Sequence, residues 1–205
     1  MHLLSKTLDN VAFIYALTFF PAPFFWLLIH PAIDFWRRQG TRAYWVALPV
    51  WAGTDCVLFL VRPVLYARRF DRSLVLWVMG VALIALALWL DRGVLRQFSV
   101  RRIVGLPEIH PERGKGEVVR GGIYAYIRHP RYLEYILTFF GLALLTGALG
   151  IFALAIVTYL MYLIVAPLEE RELRDRYGAA YEAYAREVPR FIPRLRRKPR
   201  ASVSI

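Results

Sequence analysis

The sequence predicts an all-α integral membrane protein of about five transmembrane helices, the last two forming a C-terminal helical hairpin. Three observations carry this prediction. Hydrophobic residues make up 58% of the 205 residues, with a mean hydropathy of +0.42, more apolar surface than a soluble domain can hide. These residues gather into runs of roughly 17–20, the length a helix needs to cross a bilayer. The longest run, 133–168, is broken only by Thr146-Gly147-Ala148-Leu149-Gly150, a five-residue turn that returns the chain to the side it left.

Taken in order, residues 1–10 read as a short polar lead. The first span is 11–29, with Pro21 and Pro23 in its middle. Proline removes a backbone donor, so a bent helix packed against its neighbours is expected. Residues 30–42 form a polar loop, and 43–61 the second span with Asp55 inside it. An acid at that depth faces either a partner, such as Arg62, or a site. An arginine-rich loop at 62–73 leads to a proline-free third span, 74–90. The polar segment 91–120 is broken by Pro107, Pro111, Gly114 and Gly116 and reads as a structured loop over the membrane face. The hairpin spans are 132–145, extended by flanking turns, and 151–168. A closing amphipathic helix runs from Glu169 to about Val188, where Tyr177, Tyr181, Tyr184 and Val188 share one face. The tail after Pro193 is short and basic. The whole reads as one membrane domain, 1–205: N-terminal spans (1–91), a cytoplasmic loop (92–131), the hairpin (132–168), and a cytoplasmic C-terminal helix and tail (169–205).

The formal charge is +12, from 27 Lys and Arg against 15 Asp and Glu. The arginines lie between apolar runs and after the last one, which suits lipid headgroups and orientation rather than nucleic acid. The excess flanks the uncharged hairpin tip on the other side, which puts the charged patches in the cytoplasm. Arg62, Arg68, Arg69 and Arg72 resist this pattern, because three simple spans place them outside. The single Cys56 excludes an internal disulfide and a cysteine metal cluster, and reads as a small buried residue. No cleavable signal peptide is expected.

Two charged patches flank the hairpin and meet at one membrane face. The first is Gly121-Gly122-Ile123-Tyr124-Ala125-Tyr126-Ile127-Arg128-His129-Pro130-Arg131-Tyr132. Proline after His129 biases the imidazole onto a bent turn. The glycines allow close approach of a ligand, and the tyrosines offer faces for a flat base or a cation. A basic collar at the headgroups is the plainer reading of the same residues. The second patch is Glu169-Glu170, downstream of Pro167, which leaves the Leu163 carbonyl without its helical donor. Adjacent carboxylates beside a free carbonyl suit an ammonium or sulfonium. A solvated helix start with a Glu170–Arg174 pair explains them as simply. No second His or Asp stands at ligand spacing, so no metal site is expected. Gly114-x-Gly116 lacks the third glycine of a dinucleotide motif.

The joint pattern Gly-x-Tyr-x-x-x-Arg-His-Pro-x-Tyr, a membrane hairpin, Glu-Glu-x-x-Leu, Tyr-Gly-x-x-Tyr-x-x-Tyr and Val-Pro-x-x-Ile-Pro, over residues 117–193, resembles the isoprenylcysteine carboxyl methyltransferase family. That family belongs to a superfamily with the phospholipid N-methyltransferases. The resemblance implies S-adenosylmethionine in a cytoplasmic cofactor pocket, with a lipophilic substrate entering sideways from the bilayer. It implies cofactor-binding roles for Gly122, Tyr124, Ile127, His129, Tyr132, Glu169 and Glu170, and catalytic roles for Arg128, His129, Glu170 and Arg174. Arg131, Glu134 and Gly122-Ile123 depart from the residues common in relatives. Methyl transfer from a sulfonium is an in-line displacement in which charge is neutralised, so position and a low dielectric do most of the work. A carboxylate acceptor needs only a cation to orient it, for which Arg120, Arg128 and Arg174 are available. An amine or thiol must also lose a proton, for which His129 and Glu170 are the nearest titrating groups.

The expected function is thus methylation of an isoprenylcysteine carboxylate-like acceptor, with phospholipid amines and small thiols as alternatives. A nicotinamide-dependent membrane reductase and a non-catalytic scaffold are the readings from other classes. Membrane lipids are the expected surroundings, in a plasma membrane of bacterial or archaeal type, with no nucleic acid and no obligate protein partner.

Overall fold

The computed structural model describes residues 2–97 and 118–193. Among them the fold is helical, with one isolated β-bridge, between Arg69 and Ala148. Helices α1 (His2–Phe19) and α2 (Ala22–Ile29) are followed by a short α3 (Ile33–Gln39), then α4 (Ala47–Ala67) and α5 (Leu74–Gln97). The hairpin is α6 (Pro130–Thr146) and α7 (Leu149–Tyr177), and α8 (Ala179–Glu187) closes the described chain. The stretches Leu3–Ala67, Leu74–Gln97 and Leu149–Tyr177 are long and apolar enough to cross a membrane. Their outward residues, among them Leu60, Val64, Leu74, Val75 and Trp89, are exposed, as a lipid-facing surface requires.

Several boundaries differ from the sequence reading. The polar lead is helical from His2, because Asp9 and Asn10 are held by two arginines of the expected 62–73 loop, whose first residues are instead the end of α4: Arg69, after the helix, reaches Asp9 at 2.8 Å and Arg62, within it, reaches Asn10 at 2.9 Å. The first span does bend, with a turn at Phe20-Pro21 separating α1 from α2. The 30–42 loop is instead a chain of short helical turns around α3. Helix α5 continues beyond 90 to Gln97, which removes the start of the expected 91–120 loop. The remainder of that loop, 98–117, with Gly114-x-Gly116, lies outside the described residues, as does the tail after Pro193. The hairpin turn is tighter than expected: Gly147, in the left-handed region at φ 68, caps α6, and Ala148 alone precedes α7. Helix α7 runs unbroken through Pro167 and past Glu169, ending where Gly178 adopts φ 53. The expected closing helix is therefore the end of α7 plus α8. Its aromatic face survives the break, with Tyr181, Tyr184 and Val188 buried together beside Tyr177.

The hairpin is the centre of the packing. Helix α5 lies against α6 through facing glycines: a Cβ on Gly80 would meet the Gly141 carbonyl at 3.1 Å, and one on Gly141 would meet the Gly80 carbonyl at 3.0 Å. Such small-residue contacts let membrane helices approach closely. On the other side Ala12, Phe13, Ala16 and Phe20 pack with Phe139, Leu142 and Ala143. Arg131 pairs with Asp91 of α5, and Glu134 accepts a 3.4 Å hydrogen bond from Tyr15 of α1. Arg131 and Glu134, two of the residues that depart from the family pattern, thus tie α6 to its neighbours. The out-of-place arginines also have a use at the hairpin tip: Arg69 donates to the Thr146 carbonyl at 2.9 Å and Arg72 to that of Leu145 at 3.1 Å, satisfying the end of α6. Arg62 lies over the Phe13 ring and does not pair with Asp55. Cys56 is exposed rather than buried.

Candidate functional site

At the far end of the hairpin three separate segments converge on Glu170. The chain before α6 supplies Arg128 and His129. Pro130 at the first helical position ends the extended segment and starts α6. Helix α7 supplies Glu169, Glu170 and Arg174. The segment after α8 folds back beside the first: the Arg128 amide donates to the Pro189 carbonyl at 2.9 Å and the His129 amide to that of Arg190 at 3.1 Å. Tyr184 fixes the same arrangement by donating to the Tyr124 carbonyl at 2.8 Å, and Arg120 donates to the carbonyl of Ala180.

Glu170 has no exposed side-chain surface and is compensated from every side. Arg128 approaches Oε1 through Nε at 3.1 Å and a terminal nitrogen at 2.9 Å. His129 Nε2 lies 3.0 Å from the same oxygen. Arg190 forms a fork, with Nε 2.9 Å from Oε1 and a terminal nitrogen 2.7 Å from Oε2. Arg174 adds a looser contact at 3.4 Å. Bidentate charge-assisted pairs of this kind are what a buried carboxylate requires. Glu169, beside it, keeps 23% side-chain exposure and lies 3.2 Å from His129 Nδ1, and Tyr132 hydrogen-bonds to it. Both His129 ring nitrogens therefore face carboxylates. Burial pulls its pKa down, Glu169 and then Glu170 push it up, and the sum is a raised value. With a carboxylate on each ring nitrogen, it has no free lone pair with which to act as a base. Burial, and then the Glu169 carboxylate, raise the Tyr124 hydroxyl.

A stack of rings leads from this pair into the hairpin: His129 on Tyr132 with centroids at 5.2 Å, and Tyr132 on Tyr162 at 4.3 Å. On the outer side is a cleft of about 300 Å³ lined by Arg128, Glu170, Arg174, Glu182, Ala185, Arg186 and Arg190. The sequence-predicted residues Arg128, His129, Tyr132, Glu169, Glu170 and Arg174 are thus gathered, with Tyr124 next to them. Ile127 is buried with Leu90 and Val94 of α5. Gly122, at φ +56, lies against Gln97. These two form the floor that holds the entrance segment on α5.

Sequence reasoning missed Arg190, which sits at a free position inside the quoted Val-Pro-x-x-Ile-Pro pattern. It also missed a second cluster on α7. Glu172 accepts from Arg37 of α3 at 2.8 Å and lies 3.1 Å from His30 Nδ1. The available signal was another His-Pro pair, His30-Pro31, matching His129-Pro130. Among the described residues no group of His, Cys, Asp or Glu could hold a metal ion.

A family model described as phospholipid methyltransferase matches residues 75–180, just over half of the chain. Methanethiol S-methyltransferase 2 of Bradyrhizobium diazoefficiens is 38% identical over 73 residues, covering 36% of this chain and 27% of that protein. Methanethiol S-methyltransferase of Crocosphaera subtropica is 39% identical over 75 residues, 37% of this chain and 29% of that protein. Protein-S-isoprenylcysteine O-methyltransferase of Schizosaccharomyces pombe is 28% identical over 170 residues, 78% of this chain and 71% of that protein. The matched stretch thus spans less than a third of the two methanethiol relatives. No solved structure matches the chain.

Proposed function

The chain belongs to the phospholipid methyltransferase family, and from that membership we propose that it is a membrane-embedded enzyme transferring the methyl group of S-adenosylmethionine to a lipophilic acceptor. The observation that carries this reading is the convergence of Arg128, His129 and Arg190 on the buried Glu170, because it builds a rigid charged wall at the end of an aromatic stack. When bound, the donor supplies an electrophilic methyl on a sulfonium.

The residues present suit that molecule. Glu169, partly exposed and next to Tyr132 and Tyr124, takes a positive ammonium or sulfonium. Glu170, already bonded on both oxygens, acts as the anchor that orders Arg128 and Arg190 rather than as a direct ligand. Arg174 and Arg186, on the outer cleft, take a carboxylate. The Tyr181 hydroxyl, buried and without a hydrogen-bond partner among the described residues, is a donor for a base edge. The exposed apolar flanks of α4 and α5 suit entry of the acceptor from lipid, and the charged end faces the cytoplasm.

Calorimetry of the detergent-solubilised chain with S-adenosylmethionine, S-adenosylhomocysteine and NADPH tests the reading. Binding of the first two is expected, weakened at least roughly tenfold, about 1.4 kcal/mol, in Glu169→Gln and His129→Ala. Binding of NADPH alone supports a reductase, and binding of none of the three supports a scaffold.

A further inference from the structure

We propose that His30 is the general base for an acceptor that carries a proton on its nucleophilic atom, and that this acceptor is a thiol. The inference rests on the methyltransferase reading above and concerns a residue outside the matched span 75–180.

His30 follows α2 at the junction with the turn that leads into α3. Its side chain is 1% exposed, with Nδ1 3.1 Å from Glu172 Oε2. Arg37 holds the other oxygen of that carboxylate at 2.8 Å, and the Trp26 ring stacks on the imidazole at 5.1 Å. Trp26 in turn packs against the buried cluster of Tyr132, Ile136, Tyr162, Val165 and Ala166, which places His30 at the edge of the cluster that holds the ring stack. It also acts electrostatically on Glu169. The groups facing it are thus Glu172 and Glu169 from α7 and Arg37 from α3.

His30 Nε2 is buried and has no hydrogen-bond partner among the described residues. An unpaired buried ring nitrogen is costly and calls for a function. A carboxylate on Nδ1 fixes the tautomer that carries hydrogen there and presents a lone pair at Nε2. It also stabilises the imidazolium formed when Nε2 takes a proton. His129 has carboxylates on both nitrogens and offers no such lone pair. A carboxylate acceptor would leave His30 without work, and a neutral amine can attack before it loses its proton, whereas a thiol reacts as its thiolate and needs the base in the step itself. In the step proposed, the S–H proton moves to Nε2 and the sulfur lone pair forms the new S–CH3 bond. The methyl–sulfonium bond breaks with its electron pair staying on the departing thioether.

The test uses the full chain in detergent with methanethiol and 1-hexanethiol as thiol probes and a farnesylated thiopropionate as carboxylate probe. His30→Gln is expected to bind S-adenosylhomocysteine within about twofold of wild type. Its thiol kcat should fall at least roughly tenfold at pH 7, with KM for the methyl donor unchanged. The deficit should narrow steadily as the pH is raised, as a growing fraction of the thiol ionises unaided. Glu172→Gln should show the same pH-dependent deficit in milder form. A deficit equal at every pH, or wild-type thiol turnover in His30→Gln, overturns the assignment of the base and leaves the methyltransferase reading intact. If the variants do not fold, wild type decides alone, since turnover of the carboxylate probe without either thiol overturns the proposal. Failure of wild type to bind S-adenosylhomocysteine overturns the methyltransferase reading itself.

Discussion

Glu170 and Glu169 are neighbours with opposite physical situations, and they predict opposite costs. Glu170→Gln leaves Arg128, His129 and Arg190 crowded without their counter-charge, and breaking a buried pair in this way costs about 3–5 kcal/mol. Glu169→Gln removes a partly exposed carboxylate and should affect ligand affinity more than unfolding. Denaturation in mixed detergent micelles measures the difference, and equal stability losses would contradict the anchor role. His129 adds a pH dependence. Its pKa is raised in the folded chain by Glu169 and Glu170 against the pull of burial, so the folded state binds the proton more tightly than the unfolded state. The resulting stability is fully present below the unfolded value of about 6.5 and is lost as pH rises through the folded value. Melting curves from acid to alkaline pH should therefore show wild type losing an advantage over His129→Gln that is largest at low pH. At this scale the sequence was readable where chemistry is local: Arg-His-Pro and Glu-Glu announce themselves. It was opaque where partners are remote. His30 and Glu172 lie 142 positions apart, and nothing in either neighbourhood names the other. Arg190 was hidden because many residues fit its place in a loop, and only the returned backbone at Pro189 gives it a target.

Helices meet here through glycine, and the contacts are graded. A Cβ on Gly150 would fall 2.3 Å from the Leu65 Cα, and backbone of a packed helix cannot yield that distance cheaply. Gly150→Val should cost at least about 1–3 kcal/mol by overpacking α4 against α7. Gly53, with nothing within 4 Å, is the internal control: Gly53→Ala should be neutral or stabilise by up to about 1 kcal/mol. Thermal inactivation of ligand binding in detergent ranks the two, and similar losses at both positions would mean that α4 and α7 do not pack as described. Hydropathy located the apolar runs well but misjudged their ends. Helix α1 starts in polar sequence because Asp9 and Asn10 are satisfied by Arg69 and Arg62, a tertiary effect. Helix α7 passes through Pro167 and Glu169 because α2 and the residues around Glu170 cover that stretch. Only Gly178, where the backbone takes a positive φ, stops it.

Across the whole molecule the hairpin separates two charged ends with unlike duties. Helix α6, 17 residues long, holds them about 25 Å apart. At one end Arg69 and Arg72 close helix carbonyls beside Asp9. At the other, Arg128 and Arg190 surround Glu170 next to the cleft. The charge rule of membrane topology counts these arginines alike, yet those at the tip are committed to backbone oxygens and an acid, which weakens them as orientation signals. The net bias therefore comes from the Glu170 end, and that end should be cytoplasmic. In a Cys56→Ala background, cysteines replacing exposed Arg68 and exposed Glu187 report the two ends separately. A membrane-impermeant maleimide applied to intact cells should label the first and spare the second until the membrane is opened. Labelling of position 187 from outside would invert the protein, and the methyl donor would then have to be delivered to the wrong side. Labelling of both from one side would remove the spanning hairpin altogether, and with it the reason that two patches 41 positions apart share one pocket.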